Sequence, residues 1–228
     1  MNRSAPAKGY NFGTKRHYRR QVWKAFREHC VGRLDTAHAL LMPSIEGDEI
    51  EQALRSGFRE RNLHVVDRNP AIVAHLKRRY RNINTYGVNA SHAAHRIADR
   101  GIELSVANLD LCSPVSEAML DEIQLFVQPK PVRHGGLIAI NMLRGREQDY
   151  GKNEIARQMD RGQQDRDQAR IDAVWTALCC VDGEWDIDPW QVKSGKYRSV
   201  AGTQTMLWAI YRVKREPRLT VAELRAAI

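Results

Sequence analysis

An alternation of short apolar runs with amphipathic stretches, repeated from residue 37 to residue 142, restricts the fold of this 228-residue chain more than any other feature. The apolar runs lie at residues 37–42, 63–66, 84–88, 102–109 and 137–142, and each is about as long as a buried strand, roughly four to eight residues. The stretches between them predict helices at 48–59, 70–81, 92–98 and 115–127. This order favours a doubly wound, mostly parallel α/β sheet whose ligand site lies at the carboxyl ends of the strands.

The pattern changes after residue 142. Two helices are predicted at 153–160 and 166–180, and two long apolar runs then follow at 185–192 and 203–213 with no helix between them. Consecutive strands without a crossover helix pair antiparallel. The sequence therefore predicts that a C-terminal antiparallel hairpin closes the sheet.

Basic residues are concentrated near the N-terminus. Residues 1–33 contain nine Lys/Arg and one acid, whereas residues 34–192 contain nineteen basic and twenty-four acidic residues. We therefore divide the chain into a basic N-terminal extension with a helix, residues 1–33, and an α/β domain, residues 34–228. A basic flank on a mildly acidic body is typical of a surface that contacts a polyanion, and nucleic acid is the polyanion we expect.

The predicted helix at 14–31 carries an apolar stripe of Tyr18, Val22, Trp23 and Phe26. Its basic residues are the candidates for phosphate contact: Arg16, Arg19, Arg20, Lys24 and Arg27. Basic residues interleaved with aromatic ones suit phosphate binding with base stacking. The same sequence also suits an ordinary helix that packs on a core through its aromatic face.

Other classes of protein fit poorly. The longest apolar run is far below the roughly 20 residues of a membrane span, and no apolar run follows the basic N-terminus as in a signal peptide. We expect a cytoplasmic protein with no membrane partner. His92 and His95 lie three residues apart, but no second Cys/His pair at zinc spacing accompanies them, so no metal is predicted.

Asp67 is the first candidate ligand-binding residue. It ends the second strand, twenty residues after Gly47, which is the position where doubly wound nucleotide-binding units place an acid on ribose hydroxyls. A turn acid within Asp67-Arg68-Asn69-Pro70 is the alternative interpretation. The turn after the first strand contains one glycine and two acids, Glu46 and Asp48. These acids repel phosphate, so a cationic ligand such as S-adenosylmethionine fits better than NAD.

Together these segments resemble class I S-adenosylmethionine-dependent methyltransferases. The resemblance spans residues 36–213 and rests on the first turn, on Val65-Val66-Asp67-Arg68-Asn69-Pro70, on Asn89-Ala90-Ser91, on Ala107-Asn108-Leu109-Asp110-Leu111 and on the terminal hairpin. It departs from that family in the first turn, because the usual acid followed by G-x-G-x-G is replaced by Pro43-Ser44-Ile45-Glu46-Gly47.

The resemblance implies a role for each segment. The turn containing Pro43, Ser44, Glu46 and Gly47 would lie against the methionine part of S-adenosylmethionine. Asp67, with Arg68 beside it, would hold the ribose, and Asn89 and Ala90 would border the adenine. Residues 108–110 would face the methyl group.

Asp110 is the candidate catalytic residue, with Asn108 two residues earlier on the same face of the strand. A carboxylate there can orient an acceptor amine or take its proton, although Asp110 could instead cap the following helix. The segment Asp110-Leu111-Cys112-Ser113-Pro114 lacks the Asp/Asn-Pro-Pro-aromatic tetrapeptide of exocyclic-amine DNA methyltransferases. Arg144 and Arg146, after the fifth strand, could hold a phosphate or a carboxylate, or form a solvated loop paired with Glu147 or Asp149.

Two functions compete. The first is methyl transfer from S-adenosylmethionine to a polyanionic acceptor, expected to be nucleic acid, with Asp110 and Asn108 positioning the nucleophile. The alternative is a non-catalytic nucleic-acid- or protein-binding module on a degenerate methyltransferase scaffold, which the missing glycines favour. An NAD-dependent oxidoreductase shares Asp67 but lacks the phosphate-binding turn.

Overall fold

The computed structural model of the chain describes residues 13–162, 165–179, 190–198 and 204–214. In these ranges the strands are β1 (His38–Leu41), β2 (Leu63–Val66), β3 (Asn84–Tyr86), β4 (Leu104–Asp110), β5 (Val132–Leu143), β6 (Trp190–Arg198) and β7 (Thr205–Arg212). The α-helices are α1 (Gly13–His29), α2 (Asp48–Arg55), α3 (Pro70–Arg79), α4 (Ala90–Ala98), α5 (Glu117–Val127), α6 (Asp149–Asp160) and α7 (Arg166–Cys179).

The strands form one sheet in the order β3-β2-β1-β4-β5-β7-β6. The pairs among β1 to β5 are parallel, whereas β7 runs antiparallel to both β5 and β6. The chain crosses from β3 to the other side of β1 through α4, so β1 and β4 are the neighbouring strands at which the order reverses. A doubly wound sheet binds its ligand at such a reversal. The predicted fold class, including the terminal hairpin, is confirmed.

Helices cover both faces of the sheet. One hydrophobic cluster joins the sheet to α4, α5 and α7, and a second cluster joins the opposite face to α1, α2 and α3. Alternate residues of β4 point to these two faces: Ala107 and Leu109 lie in the first cluster and Val106 in the second. Because side chains of a strand alternate, Asn108 and Asp110 share the face of Val106, which is covered by α1.

The apolar stripe of α1 docks this helix on the sheet. Tyr18, Val22, Trp23 and Phe26 are all buried, and the Trp23 ring packs edge-on against Phe26 and Phe58 with centroid distances of 5.3 and 5.9 Å. Burial of each such side chain contributes about 1.5–3 kcal/mol to stability. The helix of the basic N-terminal segment is thus a layer of the core, and its polar side chains reach the sheet.

The last hairpin corrects one sequence prediction. The strand predicted at 185–192 is observed as β6, which starts at Trp190 and runs on to Arg198; residues 185–189 lie outside the described residues. The sequence missed its second half because β6 is an edge strand of the sheet and contains Ser194, Gly195 and two lysines. Gly195 is required by packing, since a Cβ there would lie 2.7 Å from the Trp208 ring.

Element ends elsewhere differ less. The observed β2 has the predicted bounds, whereas α2 stops at Arg55, before Gly57, which adopts a positive φ of 104°. Strand β5 starts five residues earlier than expected, at Val132. Among the described residues, none of the helices has the length and apolar character needed to cross a bilayer.

Candidate functional site

A cavity of about 550 Å³ opens at the carboxyl ends of β1, β2, β3 and β4. Its polar lining residues are Lys15, Ser44, Asp67, Arg68, Asn89, Asp110, Ser113 and Glu122, and its apolar ones are Met42, Pro43, Val66, Val88, Ala90, Leu111, Ala118 and Met119. Seven of the predicted cofactor and catalytic residues are brought together here: Pro43, Ser44, Asp67, Arg68, Asn89, Ala90 and Asp110. Glu46, Gly47 and Asn108 do not line the cavity.

The turn between β1 and α2 forms one wall of the cavity. Gly47 takes the left-handed conformation with φ 72° just before α2, and a Cβ there would lie 3.0 Å from the Tyr80 ring. The single glycine of this turn therefore stands where backbone and packing both require it. The Ser44 hydroxyl oxygen is buried and has no hydrogen-bond partner among the described residues, which leaves it available to a polar ligand atom.

Asp67 lies where β2 ends. Its Oδ1 accepts a hydrogen bond from the backbone N–H of Asn69 at 2.7 Å, and the Asn69 side chain caps α3 through the N–H of Ala71 at 3.0 Å. Asp67 therefore does act as a turn acid, which was the alternative to ribose binding. This role occupies one oxygen only, because Oδ2 accepts no hydrogen bond from the described residues. The second oxygen remains free to accept a hydroxyl.

Glu122 of α5 fixes the third part of the wall. Its carboxylate accepts hydrogen bonds from the backbone N–H of Ser91 at 2.9 Å and from the Ser91 hydroxyl at 3.0 Å. The amide of Asn89 lies 3.5 Å from Glu122 Oε2. An acid at the first turn of a helix satisfies otherwise unpaired N–H groups. Glu122 therefore holds the start of α4, and with it Asn89 and Ala90, against the cavity.

Asp110 is the most strongly held carboxylate of the site. Lys15 Nζ of α1 lies 2.8 Å from Oδ2, while Asn141 Nδ2 and Cys112 Sγ donate to Oδ1 at 2.6 and 2.8 Å. Burial favours the protonated acid, but the Lys15 charge and these hydrogen bonds outweigh burial and hold the pKa of Asp110 below its ordinary value of 3.8. A carboxylate with a lowered pKa is a weak proton acceptor. Its chemistry here is that of an anionic hydrogen-bond acceptor.

Asn108 precedes Asp110 by two residues on β4. It is buried, and its Oδ1 accepts a hydrogen bond from the Tyr18 hydroxyl at 3.1 Å. Tyr18 also stacks on Tyr197 of β6, with centroids 5.1 Å apart, and the Tyr197 hydroxyl accepts a hydrogen bond from Asn141 at 2.8 Å. Helix α1, β4, β5 and β6 thus share one polar network, and Asn108 belongs to it without lining the cavity.

The structure corrects the expectation for Arg19. Only 3% of its surface is exposed, and its guanidinium pairs with Glu49 at 2.6 Å and Asp48 at 2.7 Å. Position 19 lies beside the apolar stripe of α1, so its long side chain extends inward to the acids of α2. Arg19 is therefore unavailable to phosphate, whereas the other four basic residues predicted on this helix are exposed: Arg16, Arg20, Lys24 and Arg27.

Arg144 and Arg146 lie away from the cavity, in a second and smaller pocket. Both are exposed. Arg144 pairs with Asp167 of α7 at 2.7 Å, a partner far along the chain that the sequence alone did not suggest. Glu147 pairs instead with Arg170 at 2.6 Å.

Comparison with known proteins identifies the fold. No protein-family model and no curated protein matches the sequence. The structure is similar to that of the N-methyltransferase NodS from Bradyrhizobium japonicum, with a TM-score of 0.55 and 13% identity over 90% of this chain and 98% of that one. The chain has the class I methyltransferase fold. A structure of NodS in complex with S-adenosyl-L-homocysteine gives a TM-score of 0.54 at 12% identity, over 89% of each chain.

A second similar structure is that of Trm5b from Pyrococcus abyssi. It has a TM-score of 0.53 and 12% identity, and the match covers 91% of this chain and 51% of that one. A separate point concerns metals. Among the described residues, no group of three or more His, Cys, Asp or Glu side chains could hold a metal ion.

Three polar residues of the cavity were not predicted from the sequence: Lys15, Ser113 and Glu122. Lys15 precedes Tyr18 by three positions and so lies on the docked face of α1, which is the only signal the sequence offered for it. Glu122 lies within an otherwise ordinary amphipathic helix. Its contact with Ser91 depends on how α4 and α5 pack together, and nothing local in the sequence marks it.

Proposed function

We propose that the protein transfers a methyl group from S-adenosylmethionine to a nucleic acid. The observation that carries this proposal is the cavity at the carboxyl ends of β1 to β4, with Asp67 at its rim and one of the Asp67 oxygens free. In a doubly wound sheet this is the place of a ligand. The class I methyltransferase fold of the chain makes S-adenosylmethionine the first ligand to test.

The polar groups of the cavity fit this cofactor. Asp67 Oδ2 is suited to a ribose hydroxyl, the unpaired Ser44 hydroxyl to the amino acid part, and Asn89 with Ala90 to the edge of the adenine. The lining contains three acids, Asp67, Asp110 and Glu122, and two basic residues, Lys15 and Arg68. An excess of acids favours a ligand with a sulfonium charge over a dinucleotide with a pyrophosphate.

When bound, S-adenosylmethionine supplies the electrophilic methyl group. The chain contributes orientation, because Asp110 is ionised and can accept a hydrogen bond from an acceptor N–H or O–H group. Lys15, Asn141 and Cys112 fix the Asp110 carboxylate. Correct placement of an acceptor at the reacting centre provides a large part of the acceleration in a transfer of this kind.

The surface of α1 supports nucleic acid as the acceptor. Arg16, Arg20, Lys24 and Arg27 are exposed, and their spacing of three or four residues places them in one row along the helix. The same helix brings Lys15 to the cavity. A phosphate backbone that follows this row would therefore reach the rim of the cavity, and several such contacts together would bind a polyanion in a salt-dependent manner.

Calorimetric titration with S-adenosylmethionine and S-adenosylhomocysteine tests the proposal. We expect micromolar binding, weakened at least about tenfold in Asp67→Ala, because a lost charged hydrogen bond costs about 1.5–3 kcal/mol. Asp99→Ala is the matched control, since Asp99 is an exposed acid just after α4 and outside the cavity lining. An affinity equally reduced in both variants would refute the assignment of Asp67.

The non-catalytic binding module remains a second candidate because of one observation. Both oxygens of Asp110 already have partners within the chain, so an acceptor must share this carboxylate or displace Lys15. Absence of heat with either cofactor, together with intact binding of nucleic acid, would favour the module. Transfer of a labelled methyl group to RNA or DNA, lost in Asp110→Asn, would exclude it.

A further inference from the structure

A second pocket, of about 330 Å³, lies at the carboxyl end of β5. We call it the arginine pocket, because Arg144, Arg146, Arg166 and Arg170 line it together with Gln204 and Thr205. The loop after β5, the first turn of α7 and the start of β7 meet here. The methyl transfer proposed above does not use these residues.

The charges of the arginine pocket are unbalanced. Two carboxylates, Glu147 and Asp167, neutralise Arg170 and Arg144 at distances of 2.6 to 2.9 Å. Arg146 and Arg166 have no carboxylate within 4.0 Å among the described residues. Lys196 of β6 adds a further positive charge, with its Nζ 3.9 Å from Asp167. The pocket therefore carries more positive charge than its own acids compensate.

The base of the pocket is fixed before any ligand arrives. Arg170 and Glu147 are both about nine-tenths buried, and Arg170 makes two hydrogen bonds to Glu147 and one to Asp167. Glu147 Oε1 also accepts the N–H of Gly145 at 3.0 Å, which pins the loop. Arg146 is held with a positive φ of 65°, a conformation that non-glycine residues adopt only when their surroundings impose it.

The position of the pocket relates it to the cavity. Arg144 comes directly after β5, three residues beyond Asn141, and Asn141 donates to Asp110 at 2.6 Å. Three strand residues span about 10 Å. A group bound in the arginine pocket would thus lie within reach of a neighbouring nucleotide of an acceptor held at Asp110.

We infer that the arginine pocket binds a backbone phosphate of the acceptor nucleic acid, through Arg146 and Arg166. Planar guanidinium groups present paired N–H donors that match phosphate oxygens, and a phosphate offers enough oxygens for both residues. This inference rests on the proposed function, since it names the acceptor group that would occupy the pocket. It also assigns to Arg166 a role that the sequence did not suggest.

The test uses the full chain and a short fluorescein-labelled single-stranded RNA, with binding followed by anisotropy at several salt concentrations. Arg146→Gln/Arg166→Gln should weaken binding at low salt about tenfold or more. It should also reduce the slope of log affinity against log salt by about 0.7, the value for one lost phosphate contact on a single strand. Arg61→Gln/Arg81→Gln is the matched control, since it removes the same charge from exposed positions near β2 and β3 and should change both quantities much less.

S-Adenosylhomocysteine binding, measured on the same three proteins, separates the two proposals. Loss of RNA affinity confined to Arg146→Gln/Arg166→Gln supports the phosphate pocket whatever the cofactor result. Equal effects in the two double variants, or no RNA binding by the unmodified chain, would overturn the phosphate pocket even if S-adenosylhomocysteine binds. Failure of S-adenosylhomocysteine to bind any of the proteins would overturn the methyl-transfer proposal alone.

Discussion

Replacement of Lys15 by methionine should destabilise the protein far more than replacement of an exposed lysine of the same helix. The Lys15 and Asp110 side chains are only 13% and 9% exposed, and their charges lie 2.8 Å apart. Removal of one partner leaves a buried charge uncompensated, which costs about 3–5 kcal/mol. The Asn141 and Cys112 hydrogen bonds remain, so we expect about 3 kcal/mol. With a urea m-value of about 3 kcal/mol/M, the unfolding midpoint should fall by about 1 M.

The control is Lys24→Met. Lys24 also pairs with an acid, Glu28, but at 3.6 Å and with 58% of its side chain exposed. Exposed pairs of this kind contribute about 0.5 kcal/mol or less. Addition of Asp110→Asn to Lys15→Met should recover most of the loss, because the orphaned charge is then gone. Equal midpoints for the two lysine variants would refute the view of Asp110 as a buried anion held by Lys15.

The cost of Lys15→Met should also depend on pH. In the unmodified chain the pKa of Asp110 is below 3.8, so the pair stabilises the fold above that pH and its contribution is lost as the pH falls through the lowered pKa. Without Lys15, burial dominates and raises the pKa of Asp110, and protonation then relieves the orphaned charge at mildly acidic pH. The difference between the two proteins should therefore shrink as the pH falls, and a constant difference from pH 7 to pH 4 would contradict this.

Three further predictions use the same urea assay, and the last of them also uses RNA binding. Gly47→Ala should lower the free energy of unfolding by about 1–3 kcal/mol, more than Gly101→Ala does. Both glycines have a positive φ, but of the two only Gly47 has atoms within 4 Å of the added Cβ. Equal losses in the two variants would contradict the packing argument. Burial and neighbouring positive charge lower the pKa of His64 to about 3. The free energy of unfolding should therefore fall as the pH drops below 6, by up to about 1.4 kcal/mol per pH unit. The His64→Gln variant should show a flatter pH dependence. Arg19→Met should destabilise the fold with little direct effect on RNA binding. Arg20→Met should weaken RNA binding and change the free energy of unfolding by no more than about 0.5 kcal/mol. The reverse result would indicate that Arg19 contacts RNA.

The sequence predicted the cavity because parallel strands end at a common edge of the sheet. Asp67, Asn89 and Asp110 each follow an apolar run, so knowledge of the strand order alone brings them together. The first turn has fewer glycines than the methyltransferase pattern, yet its one glycine, Gly47, lies where the backbone is left-handed and requires it. Each of these predictions depended on a local pattern, and the structure contains the strand end or turn that the pattern indicates.

What the sequence could not supply were contacts between distant elements. Lys15 and Asp110 are 95 positions apart, and hydrophobic periodicity shows which face of α1 is docked without showing which acid a long cationic side chain will meet. Arg19 was misjudged for the same reason, since charge alone suggested exposure. The second half of the edge strand β6 was missed because partial burial weakens the alternation on which strand prediction depends.

The links between α1 and β6 also affect how the protein is made. Gln21 of α1 accepts a hydrogen bond from Lys193, 172 positions later, and Tyr18 stacks on Tyr197. During translation the ribosome completes α1 first, but the strand that covers its polar residues emerges only after nearly all of the other elements. Tyr18 and Gln21 therefore lack their partners on β6 until late in synthesis. A product interrupted before residue 197 would lack Tyr197, which binds Asn141 in the Asp110 network.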